Sequence, residues 1–396
     1  MKAVIFHAVG DIRLDEVAEP EIQQPTDAIV RITTSAICGT DLHFIRGTVP
    51  GMKQGTILGH EGVGVIEALG DDVRNFSVGD RVVIPSTIAC GYCSYCRSGY
   101  YAQCDNMNPN GNQAGTSFYG GPELTGPFDG LQAEKARIPM AAVNLFKVPD
   151  DVTDDEAIML SDIFPTGYFG AELADVKPGH SVAIFGCGPV GQFAIASAKL
   201  MDAGRIFAVD TVPDRLEMAR KQGAEVIDFN KEDPVETIRQ LTGGIGVDCA
   251  IDAVGVDAEC PHHAHEKSEQ FEKEQEMVAP EQNPQGDLWQ PGRGPSQAQR
   301  WAIGALAKAG TLAIIGVYPP NDMSFPIGQA MNRNLTIRMG NCNHRKYIPN
   351  LIKLVQSGAI DPTKIISQHE SITSVLDAYK AFDTRQPGWM KVALTT

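Results

Sequence analysis

An α/β chain is predicted, with a doubly wound parallel sheet in its second half and a mostly β region before it. Three observations predict this. Strand and helix patterns alternate from Ser181 to Val254. A Gly-x-Gly-x-x-Gly turn, Gly186 to Gly191, joins the first of these strands to its helix and is answered nineteen residues later by Asp210. Residues 1 to 85 read instead as short apolar strands punctuated by glycine and proline. At 396 residues the chain is long enough for two domains with sizeable cores.

Composition narrows the function classes. With 43% hydrophobic and 21% charged residues the chain reads as an ordinary soluble globular protein. Its 33 basic and 49 acidic side chains leave a net charge of −16, which argues against nucleic-acid or anionic-membrane partners, since both need a basic face. No apolar run is long enough to span a bilayer, and Met1 to His7 lacks the core of a signal peptide, so a cytoplasmic location is expected. In that reducing compartment the nine cysteines read as metal ligands and buried apolar residues rather than disulfides.

In order along the chain, strand patterns occupy Ala3 to Phe6, Ile12 to Leu14 and, after Pro25, Ala28 to Ile32. Next come Cys38-Gly-Thr40-Asp41-Leu-His43 and, after an irregular loop, Gly59-His60-Glu61. Cys38 and His60, at the ends of two apolar runs, can reach one metal ion. Zinc suits a thiolate with an imidazole, and a catalytic site takes three protein ligands and keeps a fourth position open. On their own the two residues read equally as core or turn positions. The sequence that follows, Gly59-His60-Glu61-x2-Gly64-x5-Gly70-x2-Val73 and then Gly79-Asp80-x-Val82, resembles the zinc signature of the medium-chain alcohol dehydrogenases. That resemblance implies a GroES-like barrel for the N-terminal region.

Cys90, Cys93, Cys96 and Cys104 follow, with two, two and seven residues between them. Four thiolates on so short a loop can enclose a zinc and leave no open position, a structural site. Disulfides and an iron–sulfur cluster are the alternatives; the bacterial cluster run has three residues and then a proline around its last cysteine, where this chain has seven and Asp105. Residues 106 to 128, rich in Asn, Gly and Pro, read as loop. A strand is expected from Gln132 to Pro139 and a helix N-cap within Asp150 to Thr153.

The segment Ser161 to Tyr168 aligns with the part of the family that supplies the third catalytic ligand. Most relatives carry cysteine there; this chain has Asp162, and no cysteine occurs between Cys104 and Cys187. An aspartate in this place resembles the glutathione-independent formaldehyde dehydrogenases.

In the Gly186, Gly188 and Gly191 turn, the first two glycines permit a tight turn and close approach of a pyrophosphate, and the third lets helix and strand pack. Asp210, ending the strand Arg205 to Val209, is placed to accept hydrogen bonds from the adenosine ribose and to repel a 2′-phosphate, which favours NAD over NADP. Helix Pro213 to Gly223, strand Glu225 to Phe229, helix Asp233 to Leu241 and strand Val247 to Val254 complete the Rossmann alternation. Residues 257 to 297 interrupt it with nine acidic and three basic side chains and the run His262, His263, His265. A polar excursion of this length reads as functional or disordered; the histidines invite a second metal or are merely compositional. By resemblance, an insertion in this half covers the bound NAD. A helix Gln299 to Lys308 stopped by Gly310, strands Thr311 to Val317 and Leu335 to Met339, and helices Arg345 to Ser357 and Ser374 to Phe382 close the chain.

The resemblance implies a catalytic domain of residues 1–163 and 341–396, with the structural zinc lobe at 90–104, and an NAD-binding domain of residues 164–340 carrying insertion 257–297. It implies two zinc ions per chain, one on Cys38, His60 and Asp162, and hydride transfer between a small alcohol or aldehyde hydrate and NAD. Thr40 and His43 match its proton relay, with Asp41 and Glu61 orienting ligands. Thr166 and Val190 match positions at the nicotinamide, Arg215 the adenosine and Lys391 the pyrophosphate. Dimers or tetramers are usual in the family. Another zinc alcohol or polyol dehydrogenase, or a catalytically silent NAD-binding protein, are the competing readings.

Overall fold

The computed structural model describes residues 1–110, 115–261 and 269–396. Two sheets organise it. The first has six parallel strands in the order Glu225–Asp228, Arg205–Asp210, Ser181–Phe185, Val247–Asp252, Leu306–Ile314 and Thr336–Met339. This is the doubly wound order that reverses beside the first strand, where dinucleotides bind. Its central strands are apolar on both faces, as a sheet covered by helices on each side requires: Val182, Ala183, Ile184 and Phe185 are all buried.

The second sheet joins distant parts of the chain. Gln368–Ser371, Val392–Thr395, Ala28–Ile37, Gly62–Leu69, Arg81–Ile84 and Phe146–Lys147 lie in that order, with Lys135–Ile138 also paired to Ala28–Ile37. The C-terminal strand therefore returns to the N-terminal half and pairs antiparallel with Ala28–Ile37. Gly64 allows the strands to meet, since a Cβ there would fall 2.2 Å from the Arg31 carbonyl oxygen.

Three elements differ from the sequence reading. Gly39–Arg46, to which the sequence reading assigns no element, is a helix; Asp41 accepts the Cys38 backbone N–H at 3.0 Å and closes its first turn. At eight residues it is too short to declare a period. The helix expected from Gln299 to Lys308 runs Gln297–Ala305, because Leu306 turns to extended backbone and pairs with Val247. The chain then bulges before Thr311 rejoins the ladder opposite Cys249, so Gly310 lies in the strand rather than stopping the helix.

The insertion also contains a helix, Glu269–Val278. Beyond it, Trp289 is buried in the same apolar cluster as Val4, Phe44, Tyr379 and Phe382. Asn283 and Gln285 donate to the backbone carbonyls of Val9 and Gly10. The insertion is thus packed across onto the N-terminal half. The histidine run His262, His263 and His265 lies outside the described residues. No helix among the described residues is long and apolar enough to cross a membrane.

Candidate active site and metal centres

The third candidate ligand is positioned by a break between helices. Thr153 caps the helix Asp154–Ser161, its hydroxyl accepting from the Glu156 N–H while Glu156 accepts from the Thr153 N–H. Asp162 follows in non-helical backbone, and Ile163–Leu173 begins the next helix. Ser161 stitches this break to the sheet, accepting from the Gly62 N–H and donating to the Ile84 carbonyl. The Asp162 side chain is thereby set against His60 and Cys38.

Donor atoms of Cys38, His60, Glu61 and Asp162 all lie within 4.8 Å of one another, and all four residues are buried. Asp162 Oδ2 is 3.7 Å from Cys38 Sγ and 3.3 Å from His60 Nε2. Burial pushes the Cys38 thiol up; His60 offsets this only in part, and the charges of Glu61 and Asp162 push the same way. The opposite ring nitrogen of His60 is 3.2 Å from Asp41 Oδ1, yet neither atom has an aligned hydrogen-bond partner among the described residues. Cys38, Asp41 and Asp162 gather around one imidazole in a buried space, and thiolate, imidazole and carboxylate are the donors zinc takes. The residues fit the ion.

Cys90, Cys93, Cys96 and Cys104 form a second cluster. Their sulfurs approach to 4.0 Å in the pairs Cys90–Cys96 and Cys93–Cys104, and all four are free thiols. A disulfide needs about 2.05 Å, whereas four thiolates about 2.3 Å from a tetrahedral zinc stand roughly 3.8 Å apart. Backbone N–H groups of Cys93, Cys96 and Cys90 point at the sulfurs of Cys90, Cys93 and Cys104. Burial would raise the Cys93 thiol, but the N–H groups of Cys96 and Asp105 outweigh it and bring it to about 7. Burial raises the Cys96 and Cys104 thiols, the N–H groups aimed at the sulfurs work against it, and the four converging sulfurs fit zinc with no position left open.

A cavity of about 350 Å³ runs from the first cluster to the glycine turn. Cys38, His60, Asp162, Thr40, His43 and Thr166 line one end. Gly186, Gly188, Val190, Asp210 and Arg215 line the other. Gly186 has φ +91°, and a Cβ on Gly191 would fall 1.9 Å from the Gly186 carbonyl oxygen. A Cβ on Gly188 would meet only the Arg215 guanidinium, at 3.8 Å, so the groove is open there. Beyond it the helix Pro189–Leu200 presents its N-terminus, with proline at its first position. Asp210 is held by the N–H groups of Cys187, Thr211 and Val212 at 2.7 to 2.9 Å. The groove fits a dinucleotide.

Glu61 and Gly191 stand just behind the cavity wall. Lys391 lines it but is wholly buried, its ammonium 2.6 and 2.8 Å from the two Glu61 oxygens and 3.0 Å from the Ile37 carbonyl. All three of its donors are directed at those groups. His43 is buried beside Thr48 and Asp257, with Nδ1 2.8 Å from Thr48 Oγ1 and 3.2 Å from Asp257 Oδ2. Burial lowers its pKa against the pull of Asp257.

Sequence reasoning missed several cavity residues. His344 Nε2 lies 2.7 Å from Asp162 Oδ1. Asp257, at the start of the insertion, pairs with both His43 and Arg46, and Arg46 forks onto Asp383. Phe118 stands edge-on to the His60 ring at 6.0 Å, from within the residues read only as loop. No local spacing announces any of them.

A parallel sheet whose glycine turn faces a buried cysteine, histidine and aspartate defines a metal-dependent dinucleotide oxidoreductase. Comparison with known proteins agrees. Residues 24–150 match the alcohol dehydrogenase GroES-like domain, and residues 189–261 match the zinc-binding dehydrogenases. The zinc-type alcohol dehydrogenase-like protein AdhB of Bacillus subtilis is 35% identical over 100% of both chains. The glutathione-independent formaldehyde dehydrogenase of Pseudomonas aeruginosa is 35% identical over 86% of this chain and 80% of its own. The solved alcohol dehydrogenase TADH from Thermus sp. ATN1 superposes with a TM-score of 0.80 at 32% identity, covering 100% of this chain and 99% of that one. The chain belongs to the zinc-dependent medium-chain alcohol dehydrogenase family. Its cofactors are zinc, at a structural and a catalytic site, and a nicotinamide dinucleotide.

Proposed function

We propose that this enzyme oxidises formaldehyde, as its hydrate, with NAD and without glutathione. Asp162 carries the reading: a carboxylate stands where most of the family has a thiolate, and a relative named for glutathione-independent formaldehyde oxidation aligns over 86% of the chain. Residues 1–163 and 341–396 serve as the catalytic domain and residues 164–340 bind the nucleotide, in a homo-oligomer. The alcohol dehydrogenase of Cupriavidus necator, 34% identical over the whole chain, favours a second reading, a longer alcohol.

Cys38, His60 and Asp162 hold the catalytic zinc, and Cys90, Cys93, Cys96 and Cys104 the structural one. Held by these residues, zinc would supply the Lewis acidity that eases loss of the substrate hydroxyl proton, and NAD would supply the hydride acceptor. Thr40, whose hydroxyl lies 3.9 Å from Cys38 Sγ, would accept the hydrogen bond of the substrate hydroxyl. His43, whose pKa burial lowers, is the proton acceptor, and with Nδ1 engaged by Thr48 and Asp257 it is Nε2 that takes the proton. Thr166 and Val190 border the nicotinamide, with Arg215 at the adenosine.

The test is NADH formation by zinc-replete protein given formaldehyde, with and without glutathione, beside ethanol and longer alcohols. Turnover of formaldehyde indifferent to glutathione is expected. Activity confined to the longer alcohols would select the second reading, and none on any substrate the silent one. Asp210→Ser tests the cofactor. Removing a carboxylate about 5 Å from a 2′-phosphate relieves roughly 3 kcal/mol of repulsion at an effective dielectric near 20. The NAD-over-NADP preference in kcat/KM should then fall about 100-fold.

A further inference from the structure

Asp162 presents its two oxygens to different surroundings. Oδ2 faces Cys38 and His60. Oδ1 faces the other way, with His344 Nε2 at 2.7 Å, Thr166 Oγ1 at 2.9 Å and Ser86 Oγ at 3.2 Å. His344 is 2% exposed and opens the helix His344–Gln356. Its other ring nitrogen is 3.0 Å from Thr87 Oγ1, so the ring is held at both ends. It lies outside the set of donor atoms that fall within 4.8 Å of one another. Its contact is with the carboxylate, on the side away from Cys38.

A thiolate offers a metal one atom; a carboxylate can close on it with two. Bidentate closure of Asp162 would fill the position a substrate needs. We propose that His344, supported by Thr166 and Ser86, is a positioning residue that engages Oδ1 and holds Asp162 to ligation through Oδ2 alone. The clamp is what lets a carboxylate replace the thiolate while a coordination position stays open. The inference rests on the reading of Cys38, His60 and Asp162 as zinc ligands.

The test uses the full-length protein loaded with cobalt, whose visible absorption reports coordination number, and with zinc, whose affinity is read by chelator competition. His344→Ala is compared with His344→Gln, which keeps a donor, and both are repeated on Asp162→Cys. Two metals per chain in the parent protein are expected. In His344→Ala the cobalt absorption of the catalytic site should shift as the second Asp162 oxygen enters the coordination shell. Zinc affinity should fall roughly 10- to 100-fold, the usual effect of losing a partner that orients a ligand, with His344→Gln intermediate. On Asp162→Cys, which has no second oxygen to restrain, His344→Ala should change affinity less than about threefold. An unchanged spectrum and affinity in His344→Ala would overturn the proposal, as would equal losses in the aspartate and cysteine backgrounds, the mark of packing alone. Retention of the four-cysteine zinc and of the circular dichroism spectrum reports folding in each variant. A parent protein that binds one metal only, at the four cysteines, would remove the underlying reading before His344 is considered.

Discussion

Cys38→Ala is expected to reduce bound zinc from two ions to one per chain and to lower kcat/KM by at least about a thousandfold, roughly 4 kcal/mol of transition-state stabilisation. The expectation follows from how the two clusters are built. The Cys90 to Cys104 lobe draws on its own backbone N–H groups and shares no ligand with the other site. Its ion should therefore remain and report a folded protein. The Cys38 site spans the strand Ala28–Ile37, the start of Gly62–Leu69 and the break after Ser161, so no local segment can hold a metal by itself. If Cys38, His60 and Asp162 are the ligands, as proposed, losing one of the three leaves a buried histidine and carboxylates with too few donors to retain the ion. Metal analysis with steady-state NADH formation checks this. Retention of both zinc ions with activity intact would remove Cys38 from the ligand set, and loss of both would mean that the variant had not folded.

What could be read from the sequence follows from the range over which each interaction acts. The four cysteines, the glycine turn with Asp210, and the Cys38 and His60 segments each compress their chemistry into a short stretch, so type and spacing point to a ligand. The alternation from Ser181 to Val254 gave the parallel sheet, because buried strands and their helices have distinct periods. Asp162 became a candidate only through the family segment around it, since one carboxylate between two helices has no spacing of its own. His344 and Asp257 were out of reach: 182 and 214 residues separate them from Asp162 and His43. The sheet topology alone brings them close. Leu306 was misread because its residue type suits helix and strand alike, and pairing with Val247 decided between them. The helix in the insertion went unread because its mostly polar face buries little beyond Glu274 and Val278.

Lys391 separates what resemblance implies from what the geometry provides. Lys391→Met should destabilise the protein by about 3–5 kcal/mol, because it takes the ammonium from a Glu61 carboxyl that burial already pushes up and leaves that group without its partner. Both side chains are 0% exposed, so water cannot replace the lost contacts. The pair also stands at a junction. Lys391 immediately precedes Val392–Thr395, Glu61 immediately precedes Gly62–Leu69, and the Ile37 carbonyl that takes the third donor ends the strand between them. The midpoint of urea unfolding should drop accordingly. Glu61→Gln with Lys391→Met removes both charges and should recover much of the loss, leaving chiefly the unpaired Ile37 carbonyl. NAD affinity then distinguishes the two roles. With its three donors on Glu61 and Ile37, Lys391 has none left for a pyrophosphate, so the dissociation constant for NAD in Lys391→Met should stay within about threefold of the parent value. A rise of tenfold or more, about 1.4 kcal/mol, would show that the ammonium leaves Glu61 to meet the nucleotide. The buried pair would then be a resting arrangement that cofactor binding has to break.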